Sequence, residues 1–236
     1  MRHNKELMIK HIFFDLDHTI WDFDRNAEET LTELYEQYAL QKLGLSSCAE
    51  FIEVYTANNH LLWAEYHTGK ITKETLRSER FSKTFIQLGI HPDHIPQQFE
   101  DDYVRMTPTK TNLFEGSRKV LSYLQQKFDL HIISNGFKES TLMKMDRSAL
   151  NPYFKNVIIS EDVGVNKPHQ AIFEYALQKA GASKKESIMI GDSLEADIIG
   201  AKSFGMQAIF FNPNKKEAPD YVDWQIQHLE ELLLHF

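Results

Sequence analysis

The chain has 236 residues, 42% of them hydrophobic and 25% charged, with a formal net charge of −8. At roughly 150 residues per domain this allows one large domain or two modest ones, and the apolar content is enough for a buried core. An acidic balance argues against a nucleic-acid partner, whose phosphate backbone needs basic surface; a small anion held by local lysines and a metal stays open.

The chain starts MRHNKELMIKHIFFDLD, a short apolar run cut by Asp15 and Asp17. It lacks the long apolar stretch of a signal peptide, and no run in the chain approaches the ~20 apolar residues of a membrane helix. Cys48 stands alone, so no intrachain disulfide can form, which fits a reducing compartment. The sequence reads as a cytoplasmic, soluble protein without a membrane partner. HIFFDLD (11–17) has the length and composition of a buried strand.

From 21 to 111 the pattern turns helical: Ala27–Leu43, Glu50–His67, Thr72–Leu88 and Asp93–Met106 carry amphipathic spacing, punctuated by Gly44, Gly69, Gly89 and Pro92. A connection of about ninety residues is too long for a loop and predicts a helical insertion with its own small core. Phe51, Tyr55, Trp63 and Tyr66 share one of these helices, a stripe that is more often core than ligand platform. His91 and His94 lack the partner pair of a transition-metal site.

After the insertion, strand-like runs LHIISNG (130–136), VIISED (157–162), SIMIGD (187–192) and AIFFN (208–212) alternate with helical patterns over Glu115–Phe128, Lys138–Leu150, His169–Ala180 and Leu194–Phe204. Such alternation predicts an α/β fold, a doubly wound parallel sheet with helices on both faces. The expected division is an α/β core of 1–20 with 112–236 and a helical domain of 21–111.

Ligands of parallel α/β sheets sit at the carboxyl ends of the strands. Those ends offer Asp15 and Asp17, then Ser134 and Asn135, then Asp192, with Lys167 on the loop after the third strand. Of the first two carboxyls, one can attack and the other handle protons. Acids would repel an anionic ester unless a hard cation intervened, and Mg²⁺ suits an oxygen-ligand site. Asp192 in GDSLEAD (191–197) adds a carboxylate, with Asp197 nearby on the next helix. Ser134, with the backbone N–H groups around Asn135 and Gly136, can bind phosphate oxygens, and Lys167 brings positive charge. Singly, each part has a plainer reading: a solvated turn for Asp15–Asp17, a glycine turn for 134–136, a surface lysine before Pro168, helix caps at Asp192 and Ser193. Their joint occurrence at successive strand ends argues for a site.

FDLDHT (14–19), ISN (133–135), Lys167 and GDSLEAD (191–197) together resemble the four motifs of the haloacid dehalogenase superfamily of phosphohydrolases, over nearly the whole chain. The resemblance implies a Rossmann-like core, Asp15 as the nucleophile on phosphorus, and Asp17 as the group that protonates the leaving group and later activates water. It implies Mg²⁺ held by the Asp15 carboxylate, the Asp17 backbone carbonyl and the Asp192 carboxylate. Lys167 would act on nucleophile and phosphate together. Asp197 matches a second acidic position that acts through water or by orienting neighbours, and the helical insertion matches a cap that closes over the site. HTIWDFDRNAEETL (18–31), SNGFKE (134–139) and VGVNKP (163–168) further resemble bacterial house-cleaning 5′-nucleotidases acting on pyrimidine nucleoside monophosphates. N-acylneuraminate-9-phosphate and phosphoglycolate phosphatases share the framework.

The expected activity is thus Mg²⁺-dependent phosphomonoester hydrolysis, with a small phosphate ester, a nucleotide in particular, as partner. His18, at the mouth of the site, either contacts substrate or is a solvated loop histidine. Trp21 either stacks on a base or fills the hinge, and Phe137 is the third candidate substrate contact. A 2-haloacid dehalogenase is disfavoured because attack on carbon has no use for Asp17. A receiver-type signalling module is disfavoured by motif order and by the insertion.

Overall fold

The computed structural model describes residues 9–236 and divides into two compact units, one running through Phe23 and resuming from Thr111 to Phe236, the other Asp24–Lys110. The first is built on a six-stranded, wholly parallel sheet in the order β3-β2-β1-β4-β5-β6. Its strands are β1 (His11–Phe14), β2 (Asp129–Ser134), β3 (Asn156–Ile159), β4 (Ser187–Gly191), β5 (Gln207–Phe211) and β6 (Gln225–Ile226). Every residue of β1 and β4 is buried, as expected of central strands covered on both faces. Alternate side chains of β1 serve different layers. Ile12 and Phe14 pack in a cluster with Val120, Leu121 and Met145, whereas Phe13 packs with Phe173 and Phe204. The helices carrying these partners are α5 (Ser117–Leu124) and α6 (Lys138–Arg147) on one face, and α8 (Gln170–Ala180) and α9 (Gly200–Phe204) on the other. The sheet is the α/β architecture expected from the alternating pattern, with a two-residue sixth strand too short to leave a periodic signal.

Phe14 is in register with Ile132 of β2 and with Ile190 of β4. β1 therefore ends between two strands that the chain reaches by opposite excursions, the switch point where α/β sheets open a crevice. The segment after β4 differs from the single helix expected over Leu194–Phe204. Leu194–Ile199 is π-helical, capped by the Ser193 side chain on the Ala196 N–H, and becomes α-helical only at α9. Between β3 and α8 lies the short α7 (Ser160–Val163).

The second unit packs α1 (Phe23–Gln37, entered from the sheet unit), α2 (Cys48–His67), α3 (Lys73–Gln87) and α4 (Phe99–Met106). Phe51, Tyr55, Phe81, Phe85, Phe99 and Tyr103 are all buried and meet ring to ring, with Phe81–Phe99 at 4.8 Å and Tyr55–Phe81 at 5.0 Å. Phe51 and Tyr55 are core, as their stripe suggested, while Trp63 and Tyr66 are only half-buried. α4 starts six residues later than the expected Asp93, because Pro92–His94 forms a separate 3₁₀ turn and Pro96 lies between. His91 and His94 are exposed on that turn. Among the described residues no helix is long and apolar enough to cross a membrane.

Within this aromatic core lies one buried cation. The Arg80 guanidinium donates to both oxygens of Glu100 at 2.7 and 2.8 Å and lies 4.7 Å above the Tyr103 ring. Tyr103 in turn hydrogen-bonds Tyr55, O to O, at 2.6 Å. Removing one partner of a buried pair costs more than the pair contributes, because the other charge is stranded. Glu100→Ala is expected to lower stability by about 3 kcal/mol, measured by urea unfolding followed through the near-UV signal of these aromatics. A loss under about 1 kcal/mol, the worth of an exposed pair, would show that Arg80 recovers its solvation.

Candidate active site

Asp15 lies one residue beyond β1, yet its N–H still donates to the Ile190 carbonyl at 2.9 Å. The sheet itself therefore sets its backbone. The chain then folds back on itself: the Leu16 carbonyl accepts from Ile20 at 3.0 Å and Trp21 at 2.8 Å, and the His18 N–H donates to the Trp21 carbonyl at 2.9 Å. His18 adopts φ 62° to make this turn, a left-handed conformation uncommon outside glycine. The tight return leaves Asp15 and Asp17 at the carboxyl edge of the sheet.

Lys167 gathers the other segments onto Asp15. Its ammonium, 2% exposed, donates to Asp15 Oδ1 at 2.5 Å, Asp197 Oδ1 at 2.7 Å and the Ile133 carbonyl at 2.7 Å, which uses all three N–H donors. Its loop is fixed by Asn135, whose side chain donates to the Lys167 carbonyl at 3.0 Å and accepts from the Lys167 N–H at 2.8 Å. The Asn135 side chain is thus spent on the lysine loop, which leaves Ser134 Oγ and backbone N–H groups as the candidate anion donors of this turn. Ser134 Oγ itself accepts from the Gly136 N–H at 3.0 Å.

Asp192, beyond β4, accepts from the Thr19 hydroxyl at 3.3 Å. Asp197 turns its second oxygen to the Ser193 N–H at 3.1 Å, so both its oxygens are engaged by the protein, as suits an orienting group. Oxygens of Asp15, Asp192 and Asp197 all lie within 4.8 Å of one another. Three carboxylates here share a single ammonium, and two negative charges remain uncompensated. The electrostatics follow. Burial pushes the Asp15 carboxyl well up, Lys167 opposes, and Asp197 and Asp192 push the same way as burial. Burial, then Asp197, pushes Asp192 up to about 7 against the pull of Lys167; part of its side chain stays accessible, so water screens some of this. Burial alone would lower Lys167, but Asp15 and Asp197 outweigh it and hold the ammonium above its ordinary value. An oxygen-only cluster short of two positive charges fits a hard divalent cation.

Two glycines make room for this geometry. A Cβ at Gly191 would stand 2.2 Å from Asp197 Oδ2, and one at Gly136 would stand 2.8 Å from Thr141 Oγ1, 3.1 Å from Ser134 Oγ and 3.2 Å from Asp17 Oδ2. Asp17 is held by a residue that the motifs do not contain: Lys144 of α6 donates to its Oδ1 at 2.6 Å. No sequence periodicity marks Lys144, because the apolar Leu142 and Met143 of the same helix are exposed. Thr141, Lys144, Met145 and Ser148 are all buried, at the i, i+3, i+4, i+7 spacing of an inward stripe, and a lysine on such a stripe needs a partner.

The candidate substrate contacts fare differently. His18 is half-buried at the site's edge, its ring 4.9 Å from that of Phe23. Phe137 is mostly buried and caps the start of α6. Trp21 is fully buried in the core cluster of the sheet unit, with the Lys144 ammonium 4.4 Å from its ring centroid. This is the packing role of the two that its sequence position allowed, and it replaces the base-stacking one.

Residues 9–205 match the haloacid dehalogenase-like hydrolase family. The chain is 31% identical over 225 residues to the pyrimidine 5′-nucleotidase YjjG of Escherichia coli (strain K12), covering 94% of this chain and 95% of that protein. It is 30% identical over 237 residues to the glyceraldehyde 3-phosphate phosphatase of Pyrococcus furiosus, with 95% and 92% covered. The crystal structure of the HAD-hydrolase YfnB from Bacillus subtilis, bound to magnesium, superposes with a TM-score of 0.85 at 30% identity over 97% of this chain and 98% of that one. With its fold, its strand-end aspartates and a match over most of its length in agreement, the chain belongs to the haloacid dehalogenase-like hydrolases.

Proposed function

We propose that this hydrolase is a phosphomonoesterase working through an aspartyl phosphate, with nucleoside 5′-monophosphates as its substrates. The observation that carries the reading is the Asp15 carboxylate at the switch point, clamped by a buried Lys167 and adjoining Asp192 and Asp197 in an oxygen-only cluster. In the first half-reaction an Asp15 oxygen bonds to phosphorus as the ester P–O bond breaks, and protonated Asp17 gives its proton to the leaving oxygen. In the second, Asp17 takes a proton from water, the water oxygen bonds to phosphorus and the Asp15–phosphorus bond breaks. Inorganic phosphate leaves and both carboxyls are restored. Lys167 keeps Asp15 in position while the phosphoryl group is attached. Ser134 Oγ and the N–H groups of its turn are placed to receive phosphoryl oxygens. Asp15, Asp192 and the Asp17 backbone carbonyl would hold Mg²⁺, with Asp197 orienting. A cation bound there neutralises phosphoryl charge.

The nucleotide reading is supported by the likeness to YjjG, by the SNGFKE and HTIWDFDRN segments, and by no single side chain. The glyceraldehyde 3-phosphate phosphatase relative, at 30% identity against 31%, shows that this framework serves other esters.

Mg²⁺ is expected to activate, Ca²⁺ to inhibit because it tolerates more ligands and irregular geometry, and chelation to abolish turnover. Since Asp192 sits near 7 without a cation, binding below that pH must expel a proton. Apparent Mg²⁺ affinity should therefore fall as pH drops from 7 to 5.5, by up to about tenfold per unit. Full activity in excess chelator, or an affinity flat across that range, would contradict the assignment.

In a panel of phosphate monoesters, pyrimidine deoxynucleoside 5′-monophosphates should lead in kcat/KM. A tenfold or greater advantage for glyceraldehyde 3-phosphate, phosphoglycolate or acylneuraminate 9-phosphate would replace the nucleotide reading and leave the phosphatase one intact.

Asp15→Asn should lose every ester whatever its leaving group. Asp17→Asn should cost alkyl esters about 10²–10⁴-fold while p-nitrophenolate, which departs unaided, is still released once per site. Rapid mixing and intact mass should show that burst, followed by slow turnover with phosphate retained on the protein. Equal loss of both ester types without a burst would remove Asp17 from the role.

A further inference from the structure

We propose that Lys144 is a positioning residue for the reaction: it anchors Asp17 Oδ1 from a rigid helix and so presents the other oxygen, Oδ2, to the reacting edge. The inference rests on the reading of Asp17 as the acid–base group and extends it to a residue outside the four motifs.

Three observations carry it. Lys144 has a side chain only 5% exposed and its ammonium lies 2.6 Å from Asp17 Oδ1. A cation so placed is costly unless paired. The faces of Trp21 at 4.4 Å and Phe23 at 5.3 Å line its position, which keeps water away and confines the ammonium to one side. Asp17 belongs to the turn after β1, where a short side chain with two free torsions would otherwise sample several directions. Lys144 belongs to α6, which starts four residues after Ser134. The anchor and the candidate phosphate-binding turn therefore move as one body. With Oδ1 tied down, Oδ2 faces the small space left by the missing side chain of Gly136, where Ser134 Oγ also points: a Cβ there would lie 3.2 Å from the one and 3.1 Å from the other. The acid–base oxygen and the phosphate-binding hydroxyl thus border the same small space, and Lys144 maintains this without touching the ester.

The two substrate types of the Asp17 experiment separate this role from a merely structural one. K144M keeps the aliphatic stem and its aromatic contacts and removes only the charge. It should lower kcat for an alkyl ester (thymidine 5′-monophosphate, or whichever alkyl ester ranks first in the panel) by about 10–100-fold, the cost of a slightly misplaced catalytic group. KM should stay within about threefold and the p-nitrophenolate burst rate near that of the parent protein. K144R should keep the alkyl-to-aryl ratio near the parent's. In D17N the K144M change should cost nothing further on the alkyl ester, since the two act as a unit. If K144M does not fold, K144Q is read by the same ratios. Equal loss of alkyl and aryl esters in K144M, or a loss that adds to that of D17N, would overturn the proposal. D17N alone reports on the underlying reading: if it fails to separate the ester types, the acid–base assignment falls first and by its own measurement.

Discussion

The structure depends on one buried ammonium. Lys167 is almost wholly buried, so it must find three acceptors inside the protein, and it takes them from three separate segments: Asp15 just after β1, Ile133 within β2 and Asp197 on the π-helical turn after β4. Each contact fixes one segment against the others. Because a lysine stripped of its carboxylates at this depth would be left charged and unsolvated, the arrangement is close to all-or-none. The same requirement explains the double hydrogen bond between the Asn135 side chain and the Lys167 backbone. A long flexible side chain fixes nothing unless its own main chain is held.

What this lysine leaves undone is as informative as what it does. It answers one of three neighbouring carboxylates in charge terms, so the cluster keeps an excess that only a further cation or protons can meet. Burial first, and then the neighbouring Asp197 carboxylate, drive Asp192 toward protonation. The steric design points the same way. Gly191 is the residue that β4 can place against Asp197, because any Cβ would fall 2.2 Å from its carboxylate. The π-helical turn at Leu194–Ile199 adds a residue where Asp197 must reach back to the Ser193 N–H. π-Turns of this kind are rare and occur mostly at functional sites.

Much of this is legible in the sequence, and the reasons are physical. A buried parallel strand is an apolar run, so a carboxylate that ends it is conspicuous, and HIFFDLD and SIMIGD mark two edges of the site directly. Helices with clear periodicity and glycine stops lie within a few residues of where their pattern places them. The misses have equally definite causes. β6 is a two-residue strand whose pairing is supplied by β5 rather than by its own pattern. α4 is shortened by Pro96, which amphipathic spacing alone does not register. Trp21 is ambiguous in sequence because an indole serves a core and a base equally well; only its burial decides. The second role of Asn135, its side chain clasping the Lys167 backbone, leaves no mark in the sequence, whereas its backbone N–H stays with the turn the motif suggested. Lys144 lies nine residues beyond Asn135, the last residue of the second motif, and its partner is 127 residues away in the chain.

Lys167 and Lys144, both buried, solve opposite problems on adjoining aspartates. Lys167 is shared, so each of its carboxylates is only partly neutralised and the cluster stays attractive to a cation. Lys144 is directed at Asp17. On the proposed reading this division is what lets two aspartates two residues apart do different work. A carboxylate free to swing would be drawn toward the same positive charge that binds its neighbours, and once ligated it could no longer pass a proton. By tying one oxygen of Asp17 to an ammonium that sits among aromatic rings, the fold keeps that side chain out of the cation's reach while its backbone stays in place. On that reading the nucleophile and the acid–base group are distinguished less by their position after β1 than by which lysine, on which element, holds each of them.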